Sequence, residues 1–284
     1  MKLLRYGPKG AERPGLLDDE GHVRDLSGHV VDLAGDVLDP DRLARLASLK
    51  ANELPVVERP TRLGTPVAGI GKILAIGLNY REHAEETGGK PRAEPMLFSK
   101  AITALSGPND PIMLPKGSTK TDWEVELAVI IGSKAQYVDE DRALDHVAGY
   151  AVINDVSERS FQKERGGQFV KGKSADTFAP LGPWLVTKDE VPDPQDLDLW
   201  LDLNGHRRQS GNTGQMIFGV AYLVSHISQF MTLMPGDVIA TGTPAGVGLG
   251  CDPPEFLNAG DRLECGVEGL GQQRHEVIAY AREP

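Results

Sequence analysis

The feature that most constrains the fold is a pair of acidic residues leading into an apolar run. Glu124 and Glu126 precede Leu127–Ile131, which is apolar at every position and ends at Gly132. A strand with apolar residues on both faces must be covered on both sides, as in the centre of a layered sheet. Other short apolar runs, bounded by Gly, Asn, Asp or Pro, have the same character. We therefore predict buried strands at residues 73–77, 125–131, 150–153 and 238–241.

Helical patterns are fewer than strand patterns and do not alternate with them regularly. The longest pattern places Ile217, Val220, Val224, Ile227 and Met231 along one stripe at helical spacing. A doubly wound fold requires strands and helices to alternate, so this order disfavours it. We predict an α+β, β-rich fold on curved mixed sheets, with helices at residues 41–49, 79–86, 139–147, 157–165 and 216–231.

The chain divides into a short N-terminal part and a long remainder. Residues 15–26 have the pattern of two short strands around an acidic turn, and Leu43, Leu46 and Leu49 recur at every third position. Residues 58–66, which contain two prolines and a glycine, have the composition of a linker. We predict a small N-terminal domain at residues 1–66 and a catalytic domain at residues 67–284.

The charge of the chain excludes several classes of partner. The 284 residues include 41 acidic and 30 basic side chains, a formal net charge of -11, which repels nucleic acid and anionic lipid. No apolar run reaches the roughly 20 residues that cross a bilayer, and residues 1–10 lack a signal-peptide stretch. Cys251 and Cys265 are too far apart for a CxxC motif. We predict a cytoplasmic protein with reduced thiols that binds neither nucleic acid nor membranes.

Three acidic residues are candidates for a metal site. Side chains alternate along a strand, so Glu124 and Glu126 point to one face about 7 Å apart. Asp155 ends the run Gly149–Asn154, and it completes a cluster if the two strands are neighbours. Three carboxylates without His or Cys suit a hard cation, which is Mg²⁺ or else Mn²⁺ or Ca²⁺. The alternatives are a solvated strand end for the two glutamates and a helix cap for Asp155.

Further polar residues recur at helical spacing. Arg159 and Gln162 share a helix face, from which they could hold a substrate carboxylate or carbonyl, although a surface role is the common alternative. His83 and Glu86 have the same spacing, in which a carboxylate orients an imidazole as general base. Because the chain contains seven histidines, a structural role for His83 stays open. The segment Phe169–Pro183 turns from polar to apolar, so one of its lysines is expected to face inward beside a substrate enolate.

A glycine-rich segment, Ile239–Gly250, follows one of the predicted strands. It lacks the Gly-Lys-Ser/Thr of a phosphate-binding loop, and Cys251 and two prolines follow it instead of a helix. The sequence therefore excludes nucleotide binding. A backbone that a ligand can approach closely is the better interpretation.

Taken in order, these segments resemble the fumarylacetoacetate hydrolase superfamily from about Ile70 to the end of the chain. The resemblance implies metal ligands at Glu124, Glu126 and Asp155, a catalytic lysine at Lys173, and a catalytic dyad at His83 and Glu86. Thr241–Gly248 is similar to the signature loop of that family. Residues 5–7 and 118–124 are similar to its bacterial branch labelled ureidoglycolate lyase or 2,4-diketo-3-deoxy-sugar-acid hydrolase.

The resemblance also implies an architecture and a chemistry. The expected fold consists of rolled mixed β-sheets of the fumarylacetoacetate hydrolase C-terminal type, usually as a homodimer. The expected cofactor is Mg²⁺, which binds an α-keto acid substrate. Members hydrolyse acylpyruvates, decarboxylate oxaloacetate-like acids or isomerise unsaturated diacids.

From the resemblance we predict a hydrolase that cleaves the C3–C4 bond of a 2,4-diketo acid to pyruvate and a second carboxylic acid. A sugar-derived 2,4-diketo-3-deoxy acid is the expected substrate, because the pocket edge offers Lys, Arg, Gln and Thr more obviously than aromatic side chains. The expected substrate contacts are Arg159, Gln162 and Thr243. The alternatives are an isomerase or decarboxylase of an unsaturated diacid from aromatic catabolism, a ureidoglycolate lyase, and a metal-binding homologue without turnover. A diacid would need a second carboxylate site near the acyl end.

Overall fold

The computed structural model describes residues 1–58, 62–89 and 92–281. Within those ranges the chain forms eighteen β-strands. They are β1 (Lys2–Tyr6), β2 (Arg13–Leu17), β3 (Val23–Asp25), β4 (Ile73–Gly77), β5 (Met96–Lys100), β6 (Leu105–Ser106), β7 (Ile112–Met113), β8 (Thr121–Asp122), β9 (Val125–Ile131), β10 (Val147–Asn154), β11 (Ser157–Glu158), β12 (Ala179–Pro180), β13 (Leu185–Thr187), β14 (Asp198–Leu203), β15 (His206–Asn212), β16 (Val238–Ala240), β17 (Arg262–Val267) and β18 (Gly271–Ile278).

The same ranges contain five α-helices, all of them short. They are α1 (Pro40–Ala47), α2 (Arg81–Glu86), α3 (Arg159–Lys163), α4 (Phe169–Lys173) and α5 (Val220–Ser228). Short 3-10 helices occupy Gly35–Leu38, Ala51–Glu53, Ile102–Ala104, Glu140–His146, Lys188–Glu190, Thr213–Gln215 and Gly248–Gly250. Among the described residues, no helix has the length and apolar character needed to span a membrane.

The strands form two sheets and two small ladders. The larger sheet has the order β3-β2-β1-β13-β10-β9-β16-β4-β5, in which β16 and β4 are parallel and the other neighbours antiparallel. The smaller sheet has the order β15-β14-β17-β18-β7, and β8 with β11 and β6 with β12 form the ladders. This strand-rich arrangement of mixed sheets confirms the predicted α+β class.

The core is built around β9 and β10. Every residue of these two strands is buried. The smaller sheet packs against them through β14, β17 and β18. The apolar run Leu127–Ile131 is thus enclosed between layers, which is why the sequence could leave both faces of this strand apolar.

The N-terminal part extends the larger sheet at one edge. β1 pairs with β13, and β2 and β3 follow outward as antiparallel neighbours. The two strands predicted within residues 15–26 are therefore present as β2 and β3. Residues 59–61 of the predicted linker lie outside the described residues, and the division of the chain at residue 66 stays a prediction.

The predicted strands are present, whereas several predicted helices begin or end elsewhere. β4 and β9 have the predicted bounds. The helix predicted at 157–165 starts at Arg159 instead, because Ser157 and Glu158 pair with β8. Residues 140–146 form a 3-10 helix rather than an α-helix.

The largest difference from the prediction lies in residues 216–231. A helix was predicted over this whole range, but only Val220–Ser228 (α5) is α-helical. Met216 forms an isolated bridge with Tyr80, and the Asn79 side chain bonds both the N–H and the carbonyl of Phe218. These contacts from a distant segment hold residues 216–218 extended, so the helix begins only after Gly219. Met216 and Phe218 are partly buried against the core in this extended conformation, so their apolar character does not require a helix.

Candidate active site

Three carboxylates meet where β9 begins and β10 ends. The two strands are antiparallel, with Glu126 opposite Ile153 and Val125 opposite Asn154. This register places Glu124, just before β9, beside Asp155, just after β10, and the Asp155 N–H donates to the Glu124 carbonyl at 2.8 Å. Oxygen atoms of Glu124, Glu126 and Asp155 lie within 4.8 Å of one another, and all three residues are buried. The cluster predicted from spacing is therefore formed.

Asp155 does not cap the following helix, contrary to the alternative considered from the sequence. The cap is Glu158, whose carboxylate accepts from the N–H of Ser160. Both oxygens of Asp155 face lysines instead.

Three cations, Lys100, Lys173 and Arg159, surround the cluster. Lys173 Nζ lies 2.6 Å from both Glu124 Oε2 and Asp155 Oδ2. Lys100 Nζ lies 2.5 Å from Asp155 Oδ1 and 3.1 Å from the Val156 carbonyl. Lys173 is thus the inward-facing lysine that the sequence led us to expect in its segment, whereas nothing in the sequence indicated Lys100.

The electrostatic environment shifts the pKa values of Glu124 and Glu126 in opposite directions. Burial by itself would raise the pKa of Glu124, but the charges of Lys173 and Arg159 outweigh it and hold that pKa well below its ordinary range. Burial raises the pKa of Glu126 well above its usual value, and the charges of Asp155 and Glu124 raise it further. Among the residues that the structure describes, Glu126 is the carboxylate of the cluster that forms no ion pair.

The excess of negative charge at the cluster would be offset by a divalent cation. Glu126 Oε2 accepts from the Gly242 N–H at 2.7 Å, while Oε1 accepts no hydrogen bond from the described part of the chain. Within the described ranges, four buried carboxylates (Asp122, Glu124, Glu126 and Asp155) face three cations, which are Lys100, Arg159 and Lys173. An all-oxygen donor set of this kind suits Mg²⁺ or Mn²⁺ rather than zinc. With a divalent cation added, the site would carry a net positive charge and attract an anionic substrate.

Arg159 links the cluster to a fourth acid that the sequence analysis did not single out. Arg159 Nη1 lies 2.7 Å from Glu124 Oε1, and Nε donates to Asp122 Oδ2 at 2.7 Å. Arg159 Nη1 also lies 3.4 Å from Gln162 Oε1. Arg159 is therefore held within the protein by two carboxylates, and its predicted contact with substrate stays a prediction.

His83 and Glu86 form the pair that their spacing predicted. Both lie on α2, and His83 Nδ1 is 2.8 Å from Glu86 Oε1. Glu86 Oε2 accepts from the Gly246 N–H at 2.9 Å, so the carboxylate is fixed from two sides. This geometry leaves His83 Nε2 without a protein partner among the described residues, and His83 lines the same cavity as Glu124 and Glu126.

The glycine-rich loop binds acidic side chains of the site. Its N–H groups at Gly242, Gly246 and Gly248 donate to Glu126, Glu86 and Asp122 respectively. The loop was expected to let a ligand approach its backbone; the contacts present are with the protein's own carboxylates. Thr243 is also engaged internally, because its hydroxyl donates to the Val125 carbonyl and accepts from Gln209.

Gly246→Ala is expected to damage activity through this loop. Gly246 has φ 104°, and a Cβ there would lie 1.9 Å from the Arg208 carbonyl oxygen. The loop must move, and Glu86 then loses its N–H donor. Gly260→Ala is the matched control, since Gly260 has φ 98° and no neighbouring atom lies within 4 Å of the place that an alanine methyl group would take. Both variants should lose about 1 kcal/mol or more of stability in thermal unfolding, but only Gly246→Ala should lose turnover.

The cavity wall is more apolar than the sequence led us to expect. Phe98 and Phe169 line the cavity as an edge-to-face pair with ring centroids 5.3 Å apart, and Met96 lies beside them. Their neighbours Leu78 and Leu249 are also part of the lining. The lining also contains the Lys, Arg, Gln and Thr side chains on which the expected sugar-acid substrate depended, so that substrate stays a prediction.

The structure brings all nine predicted site residues into one region. Seven line one cavity, and these are His83, Glu124, Glu126, Arg159, Gln162, Lys173 and Thr243. Glu86 and Asp155 contact members of that set directly. Lys100 and Asp122 are also buried and ion-paired with the site, and neither was predicted from the sequence. A signal existed for Asp122, which stands two positions before Glu124 in the same polar segment.

The chain is similar to proteins of known family over nearly its whole length. Residues 72–278 match the family described as fumarylacetoacetate (FAA) hydrolase, C-terminal. A protein of Burkholderia orbicola (strain MC0-3) named "Putative hydrolase" is 60% identical over 274 residues, which are 96% of this chain and 97% of that protein.

Solved structures with the same fold carry several activities in their names. The fumarylacetoacetate hydrolase of Exiguobacterium antarcticum is 36% identical with a TM-score of 0.85. A probable 2-hydroxyhepta-2,4-diene-1,7-dioate isomerase of Mycobacterium abscessus is 34% identical with a TM-score of 0.85. The maleylpyruvate hydrolase of Sphingobium sp. SYK-6, in complex with manganese(II) and pyruvate, is 30% identical with a TM-score of 0.79. Each alignment covers 99% of this chain and 100% of the other.

Proposed function

This chain belongs to the fumarylacetoacetate hydrolase family, and from that premise we propose that it is a divalent-metal-dependent hydrolase of a 2,4-diketo acid. Water splits the C3–C4 bond and yields pyruvate and a second carboxylate. The proposal includes Mg²⁺ as the cation, with Mn²⁺ as the alternative, and a homodimer in the cytoplasm. The observation that carries it is one cavity lined by His83, Lys173, Glu124 and Glu126, with Glu86 bonded to His83 and Asp155 completing the carboxylate cluster.

The residues that would hold the cation are Glu124, Glu126 and Asp155. A divalent cation bound there supplies a Lewis acid that polarises the 2-oxo group of the substrate. Lys173 holds Glu124 and Asp155 in place, because its ammonium bonds both of them. The same ammonium offers positive charge to the pyruvate half of the substrate as negative charge develops there.

His83 activates the water. Because Glu86 holds Nδ1, Nε2 of His83 is the nitrogen that accepts a proton from water, and Glu86 stabilises the resulting imidazolium. The hydroxide adds to C4, and the electron pair of the C3–C4 bond passes to the pyruvate half. That half takes up a proton at C3 and leaves as pyruvate, while C4 becomes the carboxylate of the second product.

A substrate panel tests the proposal. Acetylpyruvate, a 2,4-diketo-3-deoxy sugar acid, oxaloacetate and ureidoglycolate are incubated with the Mg²⁺-loaded protein, and pyruvate and glyoxylate are assayed separately. Pyruvate and acetate in equal amounts from acetylpyruvate are expected, and His83→Ala should release both far more slowly. Turnover of ureidoglycolate, with no pyruvate from either diketo acid, would overturn the proposal.

Isomerisation of an unsaturated diacid is the second candidate function. It is favoured by the apolar wall at Phe98 and Phe169, which suits an unsaturated carbon chain. Isomerisation moves a proton between carbons and consumes no water. A diacid that changes its absorbance without releasing pyruvate would therefore indicate this candidate.

A further inference from the structure

We propose that Asp122 and Trp123 are positioning residues that hold the glycine-rich loop, and through it Glu86, in place for the activation of water by His83. The inference rests on the proposed function and adds two residues to it. Neither Asp122 nor Trp123 is among the described residues that line the cavity, and both are buried. They act through the backbone of the loop rather than on the substrate.

The carboxylate of Asp122 is surrounded by hydrogen-bond donors. Its Oδ1 accepts from the Gly248 N–H at 2.7 Å and from the Trp123 N–H at 2.8 Å. Its Oδ2 accepts from the Leu249 N–H at 3.0 Å and from Arg159 Nε at 2.7 Å. A carboxylate only accepts hydrogen bonds and can satisfy all four donors, whereas an amide would turn its NH₂ group toward at least one of them. The carboxylate of Asp122 thus fixes two consecutive N–H groups of the loop.

Trp123 holds the same loop at Gly246. The ring Nε1 of Trp123 donates to the Gly246 carbonyl at 3.0 Å. The loop also packs directly on both residues, because a Cβ at Gly248 would lie 2.9 Å from Asp122 Oδ1 and 3.0 Å from the Trp123 ring. Asp122 and Trp123 therefore fix the backbone of the loop on both sides of Val247.

The loop held in this way supplies one of the two contacts that orient Glu86. Glu86 Oε1 lies 2.8 Å from His83 Nδ1, and Oε2 accepts from the Gly246 N–H at 2.9 Å. A carboxylate with both oxygens engaged cannot rotate without losing a contact. Release of the loop frees that rotation, and Nε2 of His83 is then held less firmly toward the water that attacks C4. A misplacement of about 1 Å in a catalytic geometry can cost about 100-fold in rate.

Asp122 also contacts the carboxylate cluster, through Arg159. Arg159 Nη2 lies 2.7 Å from Asp122 Oδ2, and Nη1 lies 2.7 Å from Glu124 Oε1. The two routes predict different results when Asp122 is changed. If Asp122 acts through the loop, hydrolysis falls much more than decarboxylation of oxaloacetate, which needs no activated water. If it acts through the cluster, both reactions fall together, because both need the bound cation.

Hydrogen exchange in Asp122→Asn tests the loop contact without turnover. An amide that keeps its oxygen toward Arg159 turns its NH₂ group toward the Gly248 N–H, which then loses its acceptor. Exchange in peptides spanning residues 241–250 of the Mg²⁺-loaded protein should be about tenfold or more faster than in the wild type, as expected when a hydrogen bond to a charged group is lost. Unchanged exchange in this variant overturns the proposal.

Asp110→Asn is the matched control. Asp110 also accepts from an arginine, Arg62, and from a backbone N–H, that of Gly107. Asp110 is not among the described residues that line the cavity. Its change should lower the melting temperature but leave turnover and the exchange of residues 241–250 as they are in the wild type.

Rates test whether Asp122 acts through Glu86. Asp122→Asn should lower kcat for acetylpyruvate by up to about 100-fold with little change in KM, because the bound keto acid keeps its contacts. The double variant with Glu86→Gln should be about as slow as the slower single variant, since both changes disturb the same pair. Losses that multiply, or equal losses in hydrolysis and decarboxylation, overturn the proposal.

Trp123→Phe provides the test if Asp122→Asn does not fold. This variant keeps a buried aromatic ring and removes the Nε1 donor to Gly246. It should show the same pattern with a smaller loss of kcat, and unchanged exchange of residues 241–250 would again overturn the proposal. Faster exchange in either variant, without hydrolysis of any diketo acid by the wild type, supports the positioning role and overturns only the proposed hydrolase.

Discussion

Glu126→Gln is expected to abolish hydrolysis, with kcat/KM reduced by more than about 100-fold. Loss of a group that merely orients a metal ligand costs about 10–100-fold in metal affinity or activity, and Glu126 is proposed as a ligand itself. In the described part of the chain, Glu126 is the cluster member that forms no ion pair, so its negative charge is available to a bound divalent cation. Steady-state rates across a Mg²⁺ titration measure the effect, and the residual activity should require much more Mg²⁺.

A stability measurement shows whether this loss is due to unfolding. In the metal-free protein, burial and the charges of Asp155 and Glu124 disfavour an ionised Glu126. The neutral Gln removes that cost, so the melting temperature without metal should be equal to or above that of the wild type. The rise in melting temperature on adding Mg²⁺ should shrink or disappear, since only binding to the folded state produces it.

The control for this variant is Glu276→Gln, which makes the same change on an exposed position of β18. It should keep both turnover and the Mg²⁺-dependent rise in melting temperature. Full activity of the wild type in excess chelator would contradict the metal assignment. A Glu126→Gln variant that retains the Mg²⁺-dependent rise would contradict it as well.

His83→Ala is expected to reduce hydrolysis of acetylpyruvate by about 10²–10⁴-fold, the usual contribution of a general base. The loss should appear mainly in kcat, because His83 acts on water rather than on the bound keto acid. Glu86→Gln keeps the size of the side chain and should cause a smaller loss, since the imidazole stays in place without its carboxylate. Initial rates of pyruvate release measure both variants.

Decarboxylation of oxaloacetate provides the internal comparison for His83. Loss of carbon dioxide needs no activated water, so this reaction should decline much less than hydrolysis in His83→Ala. Equal losses in the two reactions would assign His83 to substrate positioning and contradict its role as base.

Because the site contains buried ion pairs, substitutions that preserve side-chain size test its function better than truncations do. Lys173, Arg159 and Lys100 are each within 2.7 Å of at least one buried carboxylate. Removing one member of such a pair leaves an uncompensated buried charge and costs about 3–5 kcal/mol. Truncation of these residues would therefore confuse loss of chemistry with loss of folding.

The sequence by itself determined the strand core and the carboxylate cluster. The alternation of side chains along a strand placed Glu124 and Glu126 on one face, and Asp155 ended the next strand pattern in the chain. Strands that follow each other in the chain are often neighbours in the sheet. The alternation of side chains along a strand, together with this adjacency, was therefore enough to predict the cluster. His83 and Glu86 were predictable for the same reason, because helical spacing alone brings i and i+3 together.

Only the tertiary structure decided the partners of these residues. Lys100 is separated from Asp155 by more than fifty positions, and a strand-ending lysine in a sequence carries no sign of burial. The extended conformation of residues 216–218 and the apolar wall at Phe98 and Phe169 likewise depend on distant segments. Local patterns fix which way a side chain points within its own element. Ion pairing, burial and cavity lining depend on which elements pack together, and that is set by the free energy of the whole fold.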